Sequence, residues 1–288
     1  MSQSLKQHTI KHAISIKGVG LHSGKPVTLT LCPAPINTGL VFRRTDLTPA
    51  KEIPLALGKV VETPLCTKVI DGDVTIQTIE HLLSALAGWE IDNIYIDLTS
   101  DELPIMDGSS APFVFMIEAA GIHEQEAPRK FIKITQPIRI EDGDKFVEFK
   151  PCDYFQVNVS IDFAHPAIKK TCQTMAFKFS STAYANNVAR ARTFGVASQL
   201  EDLHQQGLAL GGSLDNAIGL SDDGILNPEG LRVRDEFIKH KVLDVIGDLY
   251  TFGPIQGCYE GHKPSHALNH RLLKALEQNK DAWTWVNG

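Results

Sequence analysis

Two segments decide how this chain folds: T-I-E-H-L-L-S-A-L-A-G at Thr78–Gly88 and H-K-V-L-D-V-I-G-D-L at His240–Leu249. Each is typical of an amphipathic helix that carries a histidine beside a carboxylate. In the second segment, His240 and Asp244 are four residues apart, so one helical face presents both side chains. In the first, a glutamate directly precedes the histidine. Two histidines and a carboxylate can hold a divalent metal, and a further glutamate can then take a proton from water.

The metal interpretation has an ordinary alternative. His240 and Asp244 could be a solvated helical pair that contributes about 0.3–0.5 kcal/mol. Glu80, directly before His81, could be a first-turn carboxylate favoured by the helix dipole. Neither the H-E-x-x-H signature of zinc peptidases nor the H-x-E signature of zinc deaminases is present. Spacing alone therefore leaves both interpretations open.

Neighbouring residues favour the metal site. Asp248 extends the face of His240 and Asp244 by another four residues, and Lys241 adjoins that face. His266 follows K-P-S at the start of the last predicted helix. A helix N-terminus offers unpaired N–H groups and partial positive charge, which suit an acid near a developing oxyanion.

The composition is that of a globular protein, since the 288 residues are 43% hydrophobic and 22% charged. Domains usually contain about 100–200 residues, so two domains or two intertwined halves are expected. A net charge of −6 without a basic stretch argues against nucleic acid as a main partner. Five scattered cysteines, a polar N-terminus and no apolar run of about 20 residues predict a cytoplasmic chain without an integral membrane segment.

The predicted elements indicate an α+β fold, because strands and helices interleave without strict β-α-β alternation. In the first half we expect two strands around the glycine turn at 18–25 and a strand at 94–98. The stretch S-S-A-P that leads to Gly121 predicts a helix with a serine cap. The polar, turn-prone segment His123–Lys130 predicts a domain boundary.

The boundary gives an N-terminal domain of residues 1–126 and a C-terminal domain of residues 127–288. The second half is expected to contain strands near 131–140, 145–149 and 154–161, a helix near 182–191, a glycine-rich stretch at 207–230 and a final helix from Ser265. In both motif helices a glycine lies seven residues after the histidine. This spacing suggests two related halves that each contribute one helix to a shared cleft.

Further motifs follow one another along nearly the whole chain. They are G-V-G-L-H-S-G-K at 18–25, F-R-R-T-D-L at 42–47, T-I-E-H-L at 78–82, P-I-M-D-G-S-S-A-P-F at 104–113, D-F-A-H-P-A-I at 162–168, A-R-A-R-T-F-G at 189–195, L-G-G-S at 210–213, E-F-I-K-H-K-V-L-D-V-I-G-D-L at 236–249 and S-H-A-L-N at 265–269. In this order they resemble the UDP-3-O-acyl-N-acetylglucosamine deacetylase family, the zinc amidases of lipid A biosynthesis in Gram-negative bacteria.

The resemblance implies two similar α+β halves, each a β-sheet backed by helices, with the helices packed between the two sheets. Each half would carry an insert, a small one near 42–68 and a second near 196–230 that forms a passage for the acyl chain. The apolar residues of the second insert would equally suit a small local core; they are Leu208, Leu210, Leu214, Ile218 and Leu220.

The resemblance also implies the metal site. His81, His240 and Asp244 would be the ligands of one Zn²⁺ per chain, and Glu80 would be the general base. Iron(II) could occupy the same ligands, because the order of metal affinities does not decide which metal is used. The reaction would be hydrolysis of the 2-acetamido group of UDP-3-O-acyl-N-acetylglucosamine to acetate and a free amine.

Other residues would assist the chemistry. His266, oriented by Asp248, would be the general acid or the oxyanion partner, and Thr193 would donate a hydroxyl to the oxyanion. The leaving amine could receive its proton from His266 or from Glu80. The sequence leaves both donors open.

Four residues are implied to contact the substrate. Lys241 and Lys263 would contact the hexosamine and the diphosphate, Phe163 would stack near the uracil, and Phe194 would line the sugar site. A monomer is expected. Two rival functions remain: a peptidase or other amidohydrolase with the same metal chemistry, and a nucleotide-sugar-binding protein without metal.

Overall fold

The computed structural model describes residues 5–288. The first four residues of the polar N-terminus, and with them the start of the expected domain 1–126, lie outside the described residues. Among the described helices, none combines the length and the apolar character that crossing a bilayer requires.

The first half of the described chain contains ten strands and two helices. The strands are β1 (Lys6–Ile10), β2 (Ile14–Val19), β3 (Pro26–Pro33), β4 (Leu40–Arg44), β5 (Lys51–Pro54), β6 (Val60–Val61), β7 (Lys68–Asp71), β8 (Val74–Gln77), β9 (Ile94–Leu98) and β10 (Ile122–Pro128). The helices are α1 (Glu80–Gly88) and α2 (Ala111–Ala120), and a 3₁₀ turn spans Leu57–Lys59.

The second half contains nine strands and five helices within the described residues. The strands are β11 (Lys130–Ile134), β12 (Ile138–Asp142), β13 (Lys145–Lys150), β14 (Phe155–Ser160), β15 (Thr174–Lys178), β16 (Phe194–Val196), β17 (Ile218–Leu220), β18 (Ile255–His262) and β19 (Trp283–Asn287). The helices are α3 (Pro166–Lys169), α4 (Ser181–Asn187), α5 (Leu200–Gln205), α6 (Glu236–Tyr250) and α7 (His266–Gln278), with a 3₁₀ turn at Ala197–Gln199.

The two large sheets share one topology. The first has the strand order β2-β3-β9-β4-β5, and five strands of the second follow the order β12-β13-β18-β14-β15. Along both orders the successive pairs are antiparallel, antiparallel, parallel and antiparallel. In each sheet the central strand, β9 or β18, directly follows a motif helix, α1 or α6. The expected fold of two similar α+β halves is confirmed.

The helices lie together at the centre. α1 packs on α6, α2 packs on α1 and β2, and α7 packs on α6, β12 and β13. All nine residues of α1 are buried, as expected for a helix enclosed on every side. The helix predicted within Thr78–Gly88 begins at Glu80 and ends at Gly88 as expected, and Ile79, Leu82 and Leu86 of its apolar pattern are fully buried.

The two glycines that follow the motif histidines allow close packing. A Cβ on Gly247 would overlap the backbone carbonyl of Glu80, so α6 meets α1 at the level of the main chain. A Cβ on Gly88 would overlap the ring of Tyr184, which packs on α1 and donates a hydrogen bond to Ser84 at 2.8 Å. The positions that the sequence singled out are therefore points of close approach.

One prediction about the first half is wrong, and a second differs in detail. The segment His123–Lys130, predicted as a turn, lies mostly in β10, because pairing with β1 satisfies its backbone and buries Gln125 and Ala127. Ser110 precedes α2 but makes no side-chain cap; its hydroxyl donates to the His81 carbonyl at 2.8 Å. The hydroxyl of Ser109 instead accepts the N–H of Ala111 at 3.2 Å.

Predictions for the second half differ in detail. The strand expected near 131–140 is two strands, β11 and β12, and the helix expected near 182–191 is α4, which ends at Asn187. The final helix begins as predicted, because the Ser265 hydroxyl accepts the N–H of Leu268 at 3.3 Å. Of the apolar residues of the second expected insert, Ile218 and Leu220 belong to the core, whereas Leu210 and Leu214 are exposed.

Candidate metal centre and active site

Three side chains from α1 and α6 converge between the two sheets. Nε2 of His81 lies 3.6 Å and Nε2 of His240 3.3 Å from the same carboxylate oxygen, Oδ1 of Asp244. The ligand atoms of this trio all lie within 4.8 Å of one another. All three residues are buried, so the interpretation of His240 and Asp244 as a solvated surface pair is wrong.

The chemistry of the trio fits a divalent metal. Nδ1 of His240 is 2.9 Å from the carbonyl oxygen of Ala191; it therefore carries the proton and leaves the lone pair of Nε2 facing Asp244. Burial lowers the pKa of His240 to about 4. The ring is therefore neutral at physiological pH, as a metal ligand must be.

The carboxylate of the trio is ionised. Burial alone would raise the pKa of Asp244, but His240 and Lys241 outweigh it and hold that pKa well below its usual value. Nζ of Lys241 donates to Oδ2 of Asp244 at 2.7 Å. Lys241 therefore supports the trio directly, and its predicted contact with substrate stays a prediction.

A cavity of about 200 Å³ opens onto the trio. Eight of the residues predicted from the sequence line it: Glu80, His81, Thr193, Phe194, His240, Lys241, Asp244 and His266. Asp248 lies behind His266, and Phe163 and Lys263 lie outside the lining.

Glu80 is held at the start of α1 with its carboxylate in this cavity. Oε2 of Glu80 accepts the backbone N–H of Thr67 at 2.9 Å. Burial raises the pKa of the Glu80 carboxyl above its ordinary value. A carboxylate in these surroundings gains a proton more readily than one in water.

His266, whose side chain is 10% exposed, forms an ion pair with the buried Asp248. Nδ1 of His266 donates to both carboxylate oxygens of Asp248, at 2.9 and 3.0 Å. Burial by itself would lower the pKa of His266, but the Asp248 carboxylate outweighs burial and raises that pKa to about 9. His266 is therefore a protonated imidazolium at neutral pH, with Nε2–H as its remaining donor.

The backbone of Thr193 is hydrogen-bonded to both halves of the chain. Its N–H donates to the carbonyl of Gly108 at 2.8 Å, and its own carbonyl accepts the N–H of Ile218 at 2.8 Å. Gly108 has a φ of +81°, and a Cβ there would overlap the carbonyl of Asn216. The position of the Thr193 hydroxyl in the cavity therefore depends on two other segments, one at Gly108 and one at residues 216–218.

The remaining predicted substrate contacts lie at the rim. The ring of Phe163 is 38% exposed and packs edge-on against Phe194, with 5.5 Å between centroids. Nζ of Lys263 lies 2.6 Å from a carboxylate oxygen of Asp144 and 2.9 Å from one of Asp162. Phe163 therefore lies next to the cavity, whereas the Lys263 ammonium is paired with the carboxylates of Asp144 and Asp162.

Several residues of the site were missed from the sequence. Arg192, which is 1% exposed, donates through Nε to Glu236 at 2.9 Å and so fixes the segment that carries Thr193. Asn269 donates to Oδ2 of Asp248 at 2.8 Å; because it lies three residues after His266, helical periodicity could have identified it. No spacing signal points to Thr67, which is far from Asp248 in sequence.

Residues 7–278 match the sequence profile of the family described as UDP-3-O-acyl N-acetylglycosamine deacetylase. The chain belongs to this family. The membership expected from the motifs is thus confirmed.

Three curated relatives, each named UDP-3-O-acyl-N-acetylglucosamine deacetylase, are similar over almost their whole length. The protein of Pseudomonas entomophila is 51% identical over 283 residues, which are 98% of this chain and 93% of the relative. Those of Acidithiobacillus ferrooxidans and Legionella pneumophila are 52% identical over 284 residues and 53% identical over 283 residues, with the same coverage.

Membership in the deacetylase family settles the class of protein. A deacetylase is a hydrolase that acts on an amide, so the alternative of a non-enzymatic nucleotide-sugar-binding protein is wrong. The deacetylases of this family are metalloenzymes, and within residues 5–288 the trio is the group of side chains that could hold the ion.

Proposed function

We propose that this chain removes the N-acetyl group from UDP-3-O-acyl-N-acetylglucosamine, giving acetate and a free amine in lipid A biosynthesis. One observation carries the proposal: two histidines and an ionised aspartate converge beside Glu80 in one cavity, in a member of a deacetylase family. The uncharged amide needs both an activated water and a protonated leaving nitrogen.

Zinc is the proposed metal, with iron(II) as the alternative. Two imidazole nitrogens and one carboxylate oxygen are typical of catalytic zinc sites, which keep one position open. When bound there, the ion would acidify water and polarise the amide carbonyl. His81, His240 and Asp244 would hold it.

Glu80 is the proposed general base. Its carboxylate lies in the cavity beside His81, and burial raises its pKa toward the range in which a base works at neutral pH. The Thr67 N–H occupies Oε2, so Oε1 is the oxygen that would take the proton from water.

His266 is the proposed partner of the oxyanion and of the leaving nitrogen. Asp248 keeps it protonated, and Nδ1 is occupied by that carboxylate. Nε2–H would therefore donate to the tetrahedral oxyanion together with the Thr193 hydroxyl, where one donor contributes roughly 3–4 kcal/mol. The proton for the amine would come from His266 or from Glu80.

The substrate contacts are proposed from position and charge. Phe194 in the cavity and Phe163 at its rim form a continuous aromatic surface for the sugar and the uracil. Lys241 in the cavity and Lys263, two residues before a lining serine, would meet the hexosamine and the diphosphate.

The acyl chain is proposed to run along the stretch 196–230. Leu210 and Leu214 are 51% and 42% exposed. The backbone of Leu210 bonds the carbonyl of His22, in the glycine turn whose Leu21 lines the cavity. An acyl chain on this surface would bury leucine side chains that now face solvent.

The organisation of the chain is proposed as two domains, 1–126 and 127–288, each with one large sheet and an insert near 42–68 or 196–230. A monomer is proposed. A cytoplasmic location is supported by the five cysteines, all of which are free thiols in the described chain.

The test is a deacetylation assay on UDP-3-O-acyl-N-acetylglucosamine with and without a chelator, followed by addition of Zn²⁺ or Fe²⁺. Activity should vanish with the chelator and return with metal. A peptide with an N-acetylated lysine is the matched control substrate. Turnover of the peptide in preference to the sugar nucleotide, or activity that survives chelation, would contradict the proposal.

A further inference from the structure

Thr67 contacts both the proposed general base, Glu80, and the ion pair of His266 with Asp248. Its backbone N–H donates to Oε2 of Glu80 at 2.9 Å, and its hydroxyl donates to Oδ1 of Asp248. The same hydroxyl oxygen lies 3.5 Å from Nδ1 of His266. The side chain is 4% exposed, so water does not compete for these bonds.

The Thr67 hydroxyl is one of three hydrogen-bond donors to the Asp248 carboxylate. Oδ2 of this carboxylate accepts from His266 and from the amide of Asn269, which is itself held by the Tyr259 hydroxyl at 2.6 Å. Oδ1 is shared between His266 and Thr67. With these donors in place the carboxylate has one orientation, and the imidazolium follows it.

Thr67 also joins elements that are separate in the chain. Glu80 is on α1, Asp248 on α6 and His266 on α7, whereas Thr67 directly precedes β7. Its carbonyl accepts the N–H of Ile79 at 3.4 Å, just before α1 begins. One residue therefore connects the start of the helix that carries the base to the ion pair of the acid.

We infer that Thr67 is a positioning residue that sets the distance and orientation of Glu80 relative to the His266–Asp248 pair. The inference rests on the proposed function, since it assigns no contact between Thr67 and substrate. Its hydroxyl acts through Asp248, and its backbone acts through Glu80. The two actions can be separated, because side-chain variants leave the N–H in place.

Two variants isolate the hydroxyl. Thr67→Val keeps the shape and the backbone N–H but removes the donor to Asp248, and Thr67→Ser keeps the donor. In Thr67→Val we expect kcat to fall about 10- to 100-fold, as for loss of a hydrogen bond to a charged group. KM and bound metal should stay at wild-type values. Thr67→Ser should recover most of kcat.

A matched control is Thr9→Val. Thr9 is also buried, and its hydroxyl accepts the N–H of Ala34 at 3.0 Å, but it lies in β1 and outside the cavity lining. This variant should lose stability in the same way while kcat stays at the wild-type value. Comparing Thr9→Val with Thr67→Val separates the loss of stability caused by removing any buried hydroxyl from the loss of kcat that is specific to Thr67.

A second readout does not depend on turnover. The NMR resonance of the His266 Nδ1 proton reports its bond to Asp248, so it should shift in Thr67→Val and return in Thr67→Ser. Wild-type kcat in Thr67→Val, equal damage in both Thr67 variants, or an unmoved resonance would overturn the inference. An inactive wild-type enzyme would instead refute the proposed function, while the resonance still tests Thr67.

Discussion

The side chains of His240 and His266 are only 3% and 10% exposed, yet they carry different charges. The pKa of His240 is lowered to about 4 by burial, while Asp248 raises the pKa of His266 to about 9. Nδ1 of the first bonds a neutral carbonyl, and Nδ1 of the second bonds a carboxylate. One side-chain type therefore occurs both as a neutral imidazole and as a cationic donor, because the partner of Nδ1 differs.

The role of Glu80 is tested by Glu80→Gln. The amide cannot accept the proton of water, so turnover should fall by about 10²–10⁴. Metal content should not change, because His81, His240 and Asp244 are intact. Steady-state kcat and metal analysis of the purified variant measure the two effects. Loss of metal together with activity would show that Glu80 belongs to the ligand set.

The charge of His266 is tested by Asp248→Asn. The substitution removes the carboxylate that raises the pKa of His266, and burial, which lowers it, remains. The basic limb of the kcat/KM profile should therefore move to lower pH. Asp92→Asn is the control, since Asp92 is a carboxylate with a side chain only 12% exposed that pairs with Arg129 away from the cavity. Identical profiles for wild type and Asp248→Asn would contradict the assigned charge.

At the scale of elements, the crossing of α1 and α6 sets the spacing of the proposed metal ligands. Gly247 allows the two backbones to meet at Glu80, next to His81. In a free helix, Gly→Ala stabilises by about 1 kcal/mol. Here the added methyl must push α1 away from α6, and such overpacking costs about 1–3 kcal/mol.

Gly247→Ala is therefore expected to lower the free energy of unfolding and to weaken metal binding. Urea denaturation and metal titration measure these quantities. Gly58→Ala is the matched control, because nothing lies within 4 Å of a Cβ at that position. A Gly247→Ala protein as stable as wild type, with full metal affinity, would show that the crossing tolerates a side chain.

Elements with strong periodicity could be predicted, and those that depend on distant partners could not. The alternation of Ile94, Ile96 and Leu98 marked β9, and the apolar stripe that ends at Gly88 marked α1. β10 reads as a polar turn, because only its pairing with β1 makes it a strand. Family motifs supplied the site residues that spacing alone left open, and Thr67 was missed because its partners are set by the tertiary fold.

At the scale of the whole molecule, the metal would link the two halves. One ligand comes from α1 and two come from α6. A ligand present at 100 times its Kd stabilises the folded state by about 2.7 kcal/mol. A chelator should therefore lower the Tm by several degrees, as scanning calorimetry would show. The Tm of His240→Ala should not change with the chelator. An unchanged Tm in the wild type would show that no metal links the two halves.

The shared strand order has a consequence for how the chain is made. Strand β9 enters between β3 and β4, and β18 enters between β13 and β14, although both are translated after their neighbours. During translation each sheet therefore lacks its central strand at first. That strand, β9 or β18, leaves the ribosome only after the motif helix that precedes it in the chain. The first sheet can close once Leu98 has left the ribosome, but the proposed metal site lacks its third donor until Asp244 has been translated.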